Sequence, residues 1–329
     1  MLPFGVTNSV HVSIIVPTFN RLNDLKLTLE SLRAQSYRNF EVIVIDDGST
    51  DGTHEFLSEN EFHQIKYIRL TKNVGESNAI NVGFLQASHP FVSIVSSDDP
   101  QEVDWLIGMV TFISRNPGYI FYYPNLRIID RHGALVQEVQ LLNWSKRMQL
   151  RKMICVASAG TIINFRDYEK PIELRNGKVK FPSDLIQFLN LIKTGNAINV
   201  PNVFGVWRDH DMSLTNQEDQ ISRVTEFISV SDNWMNENVQ EFQNRIDFEV
   251  ARFNIRLQGI HMLFSKNRRI NLICSIFKVR ALRVQMISPK FLILACFKVF
   301  CVIVRKSKTL ISILLRKGTR NFSKTSEKS

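Results

Sequence analysis

Two carboxylates, Asp98 and Asp99, stand side by side directly after the apolar run Phe91-Val-Ser-Ile-Val-Ser96. Neighbouring charges of one sign oppose each other's ionisation, so such a pair calls for a bound cation or a hydrogen-bonded turn. An all-oxygen site suits Mg2+ or Mn2+, which take one or two carboxylates and complete their shell with phosphate oxygens and water. A cap on a helix starting near Glu102 uses the same residues and is the competing reading. A second pair, Asp46 and Asp47, ends the run Glu41-Val-Ile-Val-Ile45 and leads into Gly48-Ser-Thr50, where an Asx-turn competes with ligand binding. A third acid, Asp184, follows Ser183 just before Leu185-Ile-Gln-Phe-Leu189. There it is either an ordinary helix cap or a proton acceptor.

These acids need elements to hold them. Val12-Ser-Ile-Ile-Val-Pro17 and Glu41 to Ile45 are short β-branched runs, the pattern of parallel strands buried on both faces. Leu22, Leu25, Leu29 and Leu32 recur at helical spacing between them, which predicts a helix from Asn23 to about Gln35 and a βαβ unit. Further strands are expected at Lys66 to Leu70, Phe91 to Ser96, Phe121 to Ile129, Cys155 to Ile163, Ala197 to Val200 and Val203 to Trp207. Helices are expected at Glu76 to Ala87, Glu102 to Ser114 and Pro182 to Lys193. Strands alternating with helices imply an α/β fold with a mostly parallel central sheet and flanking helices. In such sheets ligands bind beyond the carboxyl ends of the strands. Thr18, Asn20 and Arg21 fall beyond the first strand, and Asp46 and Asp47 beyond the second. Pro17-Thr-Phe-Asn-Arg21 holds no G-x-G-x-x-G and no Walker lysine, so backbone amides alone do not cradle a pyrophosphate there.

Charge divides the chain. Residues 265–329 carry 16 Lys and Arg against Glu327, a net of +15, which leaves −5 of the total +10 for everything before them. Leu, Ile, Phe and Val lie between the tail's charges, which favours an anionic membrane surface over nucleic acid. Phe291 to Val304 is an apolar stretch of 14 residues interrupted by Lys298, short of the roughly 20 that a spanning helix needs. An interfacial helix fits it, and a helix packed on the preceding domain is the alternative. Four cysteines without a C-x-x-C pair argue against a disulfide framework or zinc site and for the cytosol. Residues 1–10 lack the features of a signal peptide. The division expected is a domain at 1–215 followed by a helical, basic region at 216–329, on the inner face of the cytoplasmic membrane.

Ser13-Ile-Ile-Val-Pro-Thr-Phe-Asn20, Ile45-Asp-Asp-Gly-Ser-Thr-Asp51 and Asn73-Val-Gly75 leading to Asp98-Asp99, in that order, resemble the glycosyltransferase family with the GT-A fold often called family 2. The resemblance runs from about Val12 to Thr215. It implies a GT-A fold and a nucleotide-sugar donor, a UDP sugar above all. Pro17, Thr18, Asn20, Arg21, Asp46, Asp47, Asn73 and Gly75 would line the nucleotide, with Asp47 accepting from the base. Asp98 and Asp99 would hold Mg2+ or Mn2+, although Ser96 stands where the family's first acidic residue usually is. Asp184 matches the second member of the family's helix-starting Glu-Asp, with Ser183 replacing Glu, and would deprotonate the acceptor hydroxyl. Trp207-Arg-Asp-His210 is similar to the family's aromatic-Arg-x-His segment, so Arg208 and His210 would support the leaving group. Together with the basic tail, this implies an inverting transferase acting on a lipid-linked saccharide in O-antigen or capsule assembly. A nucleotidyltransferase, lacking here its glycine-rich basic loop, and a non-catalytic nucleotide-sugar-binding scaffold are the alternatives.

Overall fold

The computed structural model describes residues 10–59, 65–143, 145–156, 159–209 and 220–263. Strand β1 (Val12–Thr18) is buried at every position and pairs in parallel with β2 (Phe40–Asp46) on one edge and β4 (Phe91–Ile94) on the other. Strand β3 (Ile65–Arg69) joins β2 in parallel. Beyond β4 the sheet turns antiparallel through β7 (Ile162–Asn164) and β5 (Phe121–Ile129). β5 pairs with β7 and then β6 (Leu135–Val139) on one edge, and in parallel with β8 (Ala197–Arg208) on the other. The parallel half therefore brings the carboxyl ends of β1, β2 and β4 side by side.

Helices cover both faces. Alternation along β1 sends Val12, Ile14 and Val16 to one face, into a core with Leu25, Leu29 and Leu32 of α1 (Leu22–Arg33) and Leu106, Met109 and Val110 of α4 (Trp105–Arg115). Ile15 faces the other way, toward α3 (Glu76–Gln86). That helix lies so close to the sheet that a Cβ at Gly83 would sit 2.5 Å from Ile15 Cγ2, so only glycine fits there. A short α2 (Thr53–Glu59) follows β2, and α5 (Lys146–Lys152) follows β6.

The second face continues through α6 (Ser183–Leu191) into α7 (Gln220–Glu237) and α8 (Arg245–Leu263). Phe188, Leu189, Phe227, Trp234, Met235 and Ile255 share one buried cluster with Ile15 and Phe84. Trp234 Nε1 donates to Asn190 Oδ1 at 2.7 Å, and Asn254 Nδ2 to the Arg151 carbonyl at 2.6 Å. One compact unit consequently runs through Leu263, whereas the sequence placed a division after residue 215. Residues 264–329, and with them the interfacial-helix expectation, lie outside the described residues. Among the described residues no helix is long and apolar enough to cross a membrane.

Two local expectations change. Among the described residues of the stretch Cys155 to Ile163, where a strand was expected, the strand is Ile162–Asn164, preceded by a turn at Ala159 and Gly160. The two strands expected at Ala197 to Val200 and Val203 to Trp207 are one, interrupted where register jumps from Val200 to Phe204 and Asn202 takes a φ of 65°. A bulge leaves the polar signal of a turn without breaking the strand.

Candidate active site

A cleft of about 1000 Å3 opens beyond the carboxyl ends of β1, β2 and β4. Its first wall is built from two loops tied to each other. Asn20 takes a φ of 53°, a conformation asparagine tolerates better than most residues. Its backbone N–H donates to Ser49 Oγ at 2.9 Å, and its side-chain oxygen accepts from the Thr50 N–H at 2.8 Å. Thr18 is buried beside it, its hydroxyl without a protein partner.

The two acids after β2 do different work. Asp46 is fully buried, accepting from the Ser49 N–H at 2.8 Å and from the Tyr67 hydroxyl of β3 at 3.1 Å. Burial and the Asp46 charge hold the Tyr67 phenol above its usual range. The expectation that Asp46 lines the nucleotide is therefore corrected: its carboxylate closes the turn and does not reach the cleft. Asp47 does reach it. Its two oxygens accept the Val74 N–H at 2.7 Å and the Gly75 N–H at 2.9 Å, which seats the loop before α3. Burial pushes the Asp47 carboxyl up despite these two donors. Asn73 Oδ1 also accepts the Gly75 N–H, at 3.1 Å. Gly75 has a φ of 89° and open space where a Cβ would be, so backbone can be approached closely there.

The tip of β4 forms the floor. Asp98 and Asp99 are 7% and 5% exposed. Asp98 is ion-paired with Arg21. Asp99 Oδ1 accepts the Arg208 N–H at 2.8 Å, while burial, and after it the Asp98 charge, push its carboxyl up to about 8. Neither acid caps α4, whose N-cap is Asp104 without a side-chain bond. Arg208 stands behind Asp99, its guanidinium buried and bonded to Asp24 at 3.1 Å, and does not line the cleft. It meets Asp99 through its backbone N–H and Asp24 through its guanidinium. His210 lies outside the described residues.

Whether the tip suits a divalent cation is decided by its donors. Two buried carboxylates that resist simultaneous ionisation gain from added positive charge, and hard oxygens are what Mg2+ and Mn2+ prefer. Among the described residues no trio of His, Cys, Asp or Glu is assembled. A cation at Asp98 and Asp99 would thus draw its remaining ligands from phosphate and water, so the tip fits the ion.

The opposite wall begins at α6. Pro182 occupies the N-cap without a side-chain bond, and Asp184, in the first turn, is exposed with Oδ1 accepting the Leu185 N–H at 2.8 Å. Asp184 thus faces the same cleft as Asp47, Asp98 and Asp99. Of the residues singled out from sequence, Asp46 and Arg208 alone among those described stay off its lining.

Sequence reasoning missed Arg175, Gln187 and Arg223, which also line it. Arg175 Nε donates to Gln187 Oε1 at 2.9 Å, and the Arg223 guanidinium stacks 4.4 Å from the Phe181 ring. Asn81 places Arg175 by bonding both its backbone N–H (2.8 Å) and its carbonyl (2.7 Å). Asn81 and Arg175 lie 94 residues apart, so no local pattern reports this wall.

The family described as glycosyl transferase family 2 matches residues 13–162. TuaG of Bacillus subtilis, a glycosyltransferase named for teichuronic acid biosynthesis, is 24% identical over 66% of this chain and 86% of its own. A Campylobacter jejuni protein named GalNAc(5)-diNAcBac-PP-undecaprenol beta-1,3-glucosyltransferase is 31% identical over 43% of this chain and 46% of its own. Uncharacterized glycosyltransferases of Rickettsia species match at 28 or 29% identity, and the chain spans only 26–29% of their length. The structure of S. aureus TarS (residues 1–349) with UDP-GlcNAc shares the fold, with a TM-score of 0.57 at 19% identity over 79% of this chain and 74% of that one. Motif order, sheet topology and the family match agree: residues 13–162 are similar to glycosyl transferase family 2, and the fold is the GT-A fold of the solved neighbours.

Proposed function

We propose that the chain moves a sugar, with inversion, from a nucleotide-diphosphate sugar to a hydroxyl of a lipid-linked saccharide during assembly of a bacterial surface polysaccharide such as O-antigen or capsule. The donor is a UDP-hexose or UDP-N-acetylhexosamine. One observation carries the reading: Asp47, Asp98 and Asp184, from three separate segments, line a single cleft. The names of the teichuronic acid and undecaprenol-linked relatives support the acceptor class, and TarS with UDP-GlcNAc supports the donor.

In this mechanism the wall of Thr18, Asn20, Asp47 and Gly75 takes the nucleoside, and Arg21 meets the diphosphate. Asp98 and Asp99 would hold Mg2+ or Mn2+, which when bound would supply positive charge against the departing diphosphate. Asp184 accepts the proton of the acceptor hydroxyl as its oxygen attacks the anomeric carbon from the side opposite the leaving UDP, so configuration inverts. Arg208 steadies Asp99 from behind, and His210 belongs to the leaving-group side. The basic, apolar residues 265–329 bring the cleft to the anionic inner face of the cytoplasmic membrane, where lipid-linked acceptors reside.

The direct experiment is a screen of UDP sugars for donor hydrolysis and transfer, with and without Mn2+, in wild type and Asp184→Asn. Wild type should turn over one donor in a metal-dependent way, and Asp184→Asn should bind UDP normally yet lose transfer by about 10²-fold or more. Unchanged transfer by Asp184→Asn would remove the base from the scheme. For the tail, a chain ending at Leu263 should no longer sediment with anionic vesicles; retained binding would contradict the membrane assignment.

A further inference from the structure

The cleft carries charge of opposite sign on its two sides. Toward the strand tips its lining is Asp24, Asp47, Asp98 and Asp99 with Arg21, whereas the wall around α6 presents Arg175, Lys180 and Arg223. These three cations gather about Asp184. Lys180 precedes it by four residues, and Arg175 is bonded to Gln187, one turn beyond Asp184 on the same face of α6. Arg223, from α7, stacks on Phe181 and is 7% exposed. The Arg175 side chain is 11% exposed, and its Nη1 stands 3.5 Å from the exposed Glu76 carboxylate, too far for a strong bond. Of its five N–H donors only Nε is taken by Gln187, so the guanidinium keeps a fork to offer a planar anion. We infer that the acceptor saccharide carries an anionic group, a carboxylate or a phosphate, close to the hydroxyl that is attacked, and that Arg175 and Lys180 bind it. This names the acceptor class of the function proposed above and rests on that reading.

Asp184 assigns this wall to the acceptor. A hydroxyl that gives up its proton to Asp184 must come within about 3 Å of that carboxylate, so the substituents beside the hydroxyl fall against the residues that flank it. A neutral sugar asks for no cations there. A cleft wall of one sign instead gathers ligands of the other, and three like charges on one wall are offset best by a bound anion. The donor's diphosphate is held on the other side under the proposed function, by the acidic tip and its metal ion. Two sources supply the anion: an acidic sugar within the acceptor, or the diphosphate that joins the saccharide to its lipid. Arginine grips either by the same two-pronged contact. Arg175 and Lys180 break and form no bond of the reaction; they select the acceptor.

The test is acceptor binding to the full chain saturated with UDP and Mg2+, read by saturation-transfer difference NMR. Three probes are compared: p-nitrophenyl β-glucoside, p-nitrophenyl β-glucuronide, which differs from it by a carboxylate, and glucose linked to pentyl diphosphate. Wild type should bind one of the two anionic probes about tenfold more tightly than the glucoside, and the tighter of them names the source of the anion. Arg175→Gln and Lys180→Gln should each narrow that gap several-fold and leave UDP affinity unchanged. Lys180 is exposed, and its backbone N–H rather than its side chain bonds Glu226 at 2.9 Å, so Lys180→Gln decides the matter should Arg175→Gln fail to fold. Equal affinity for all three probes with UDP bound overturns the inference and leaves the proposed function standing. A loss of UDP affinity in the variants as large as the loss for the anion also overturns it, because the wall would then belong to the donor. Failure of wild type to bind UDP would remove the proposed function, and this inference with it.

Discussion

Substituting Asp47 by Asn probes how the nucleotide wall is held. The carboxylate receives two backbone donors, the Val74 N–H at 2.7 Å and the Gly75 N–H at 2.9 Å, in a position only 3% exposed. Hydrogen bonds to a charged partner contribute about 1.5–3 kcal/mol each. Asparagine keeps one acceptor and turns an NH2 toward the other donor, so one bond is lost and one amide faces a second donor. The loop before α3 borders the cleft and can recover some hydration, which brings the expected loss to about 2 kcal/mol. Urea unfolding should register that loss, and hydrogen exchange at the Val74 and Gly75 amides should quicken. UDP affinity should fall by about tenfold or more, since about 1.4 kcal/mol corresponds to each tenfold step. Stability within about 0.5 kcal/mol of wild type together with unchanged exchange at both amides would refute the assignment of Asp47 as the clasp of this wall.

Asp99 predicts a pH dependence in protein stripped of divalent ions. Its folded-state carboxyl lies at about 8 against 3.8 when free, so between those values the folded state holds a proton that the unfolded state has released. Stability must then fall as pH rises through that window, by up to about 1.4 kcal/mol per pH unit. Asp99→Asn, which mimics the protonated acid, should flatten the decline seen in denaturant midpoints from about pH 6 to 8; parallel curves would contradict it. Gly205→Ala should destabilise the fold, because the added Cβ would lie 1.8 Å from the Ala159 carbonyl oxygen. Overpacking of this kind costs about 1–3 kcal/mol, visible as a Tm lowered by about 2–4 °C per kcal/mol, and an unaltered Tm would show that the turn at Ala159 yields freely.

The parallel half of the sheet was legible because its signals are local. Uninterrupted β-branched runs mark β1 and β2, and leucines at helical spacing mark α1, so the residue pattern alone assigns the acids that end those runs to one sheet edge. Which acid of an adjacent pair faces the cleft was legible only through the family resemblance, which singled out Asp47; the residue pattern alone does not separate the two. Successive side chains leave an extended chain on opposite sides, and only the position of Tyr67 on β3 shows that Asp46 turns inward while Asp47 faces the loop before α3. Strand β6 escaped notice because it is a largely exposed edge without alternation of apolar and polar residues. The boundary near residue 215 followed a real change in composition. The burial of Phe227, Trp234 and Met235 against α6 is a long-range fact that no periodicity reports. Arg175 was invisible for the same reason, since it is set by Asn81 and Gln187 from two other elements.

The central claim is that one cleft holds a nucleotide diphosphate and a divalent ion at the tip of β4, within reach of the carboxylate that begins α6. Crystals grown with UDP and Mn2+, measured at the manganese absorption edge, test it most directly. The account predicts an anomalous peak at coordination distance from Asp98 and from the diphosphate oxygens, with uracil against Asp47 and Asp184 opening onto the same space. A manganese peak elsewhere on the chain, or a nucleotide bound outside the cleft, would contradict it.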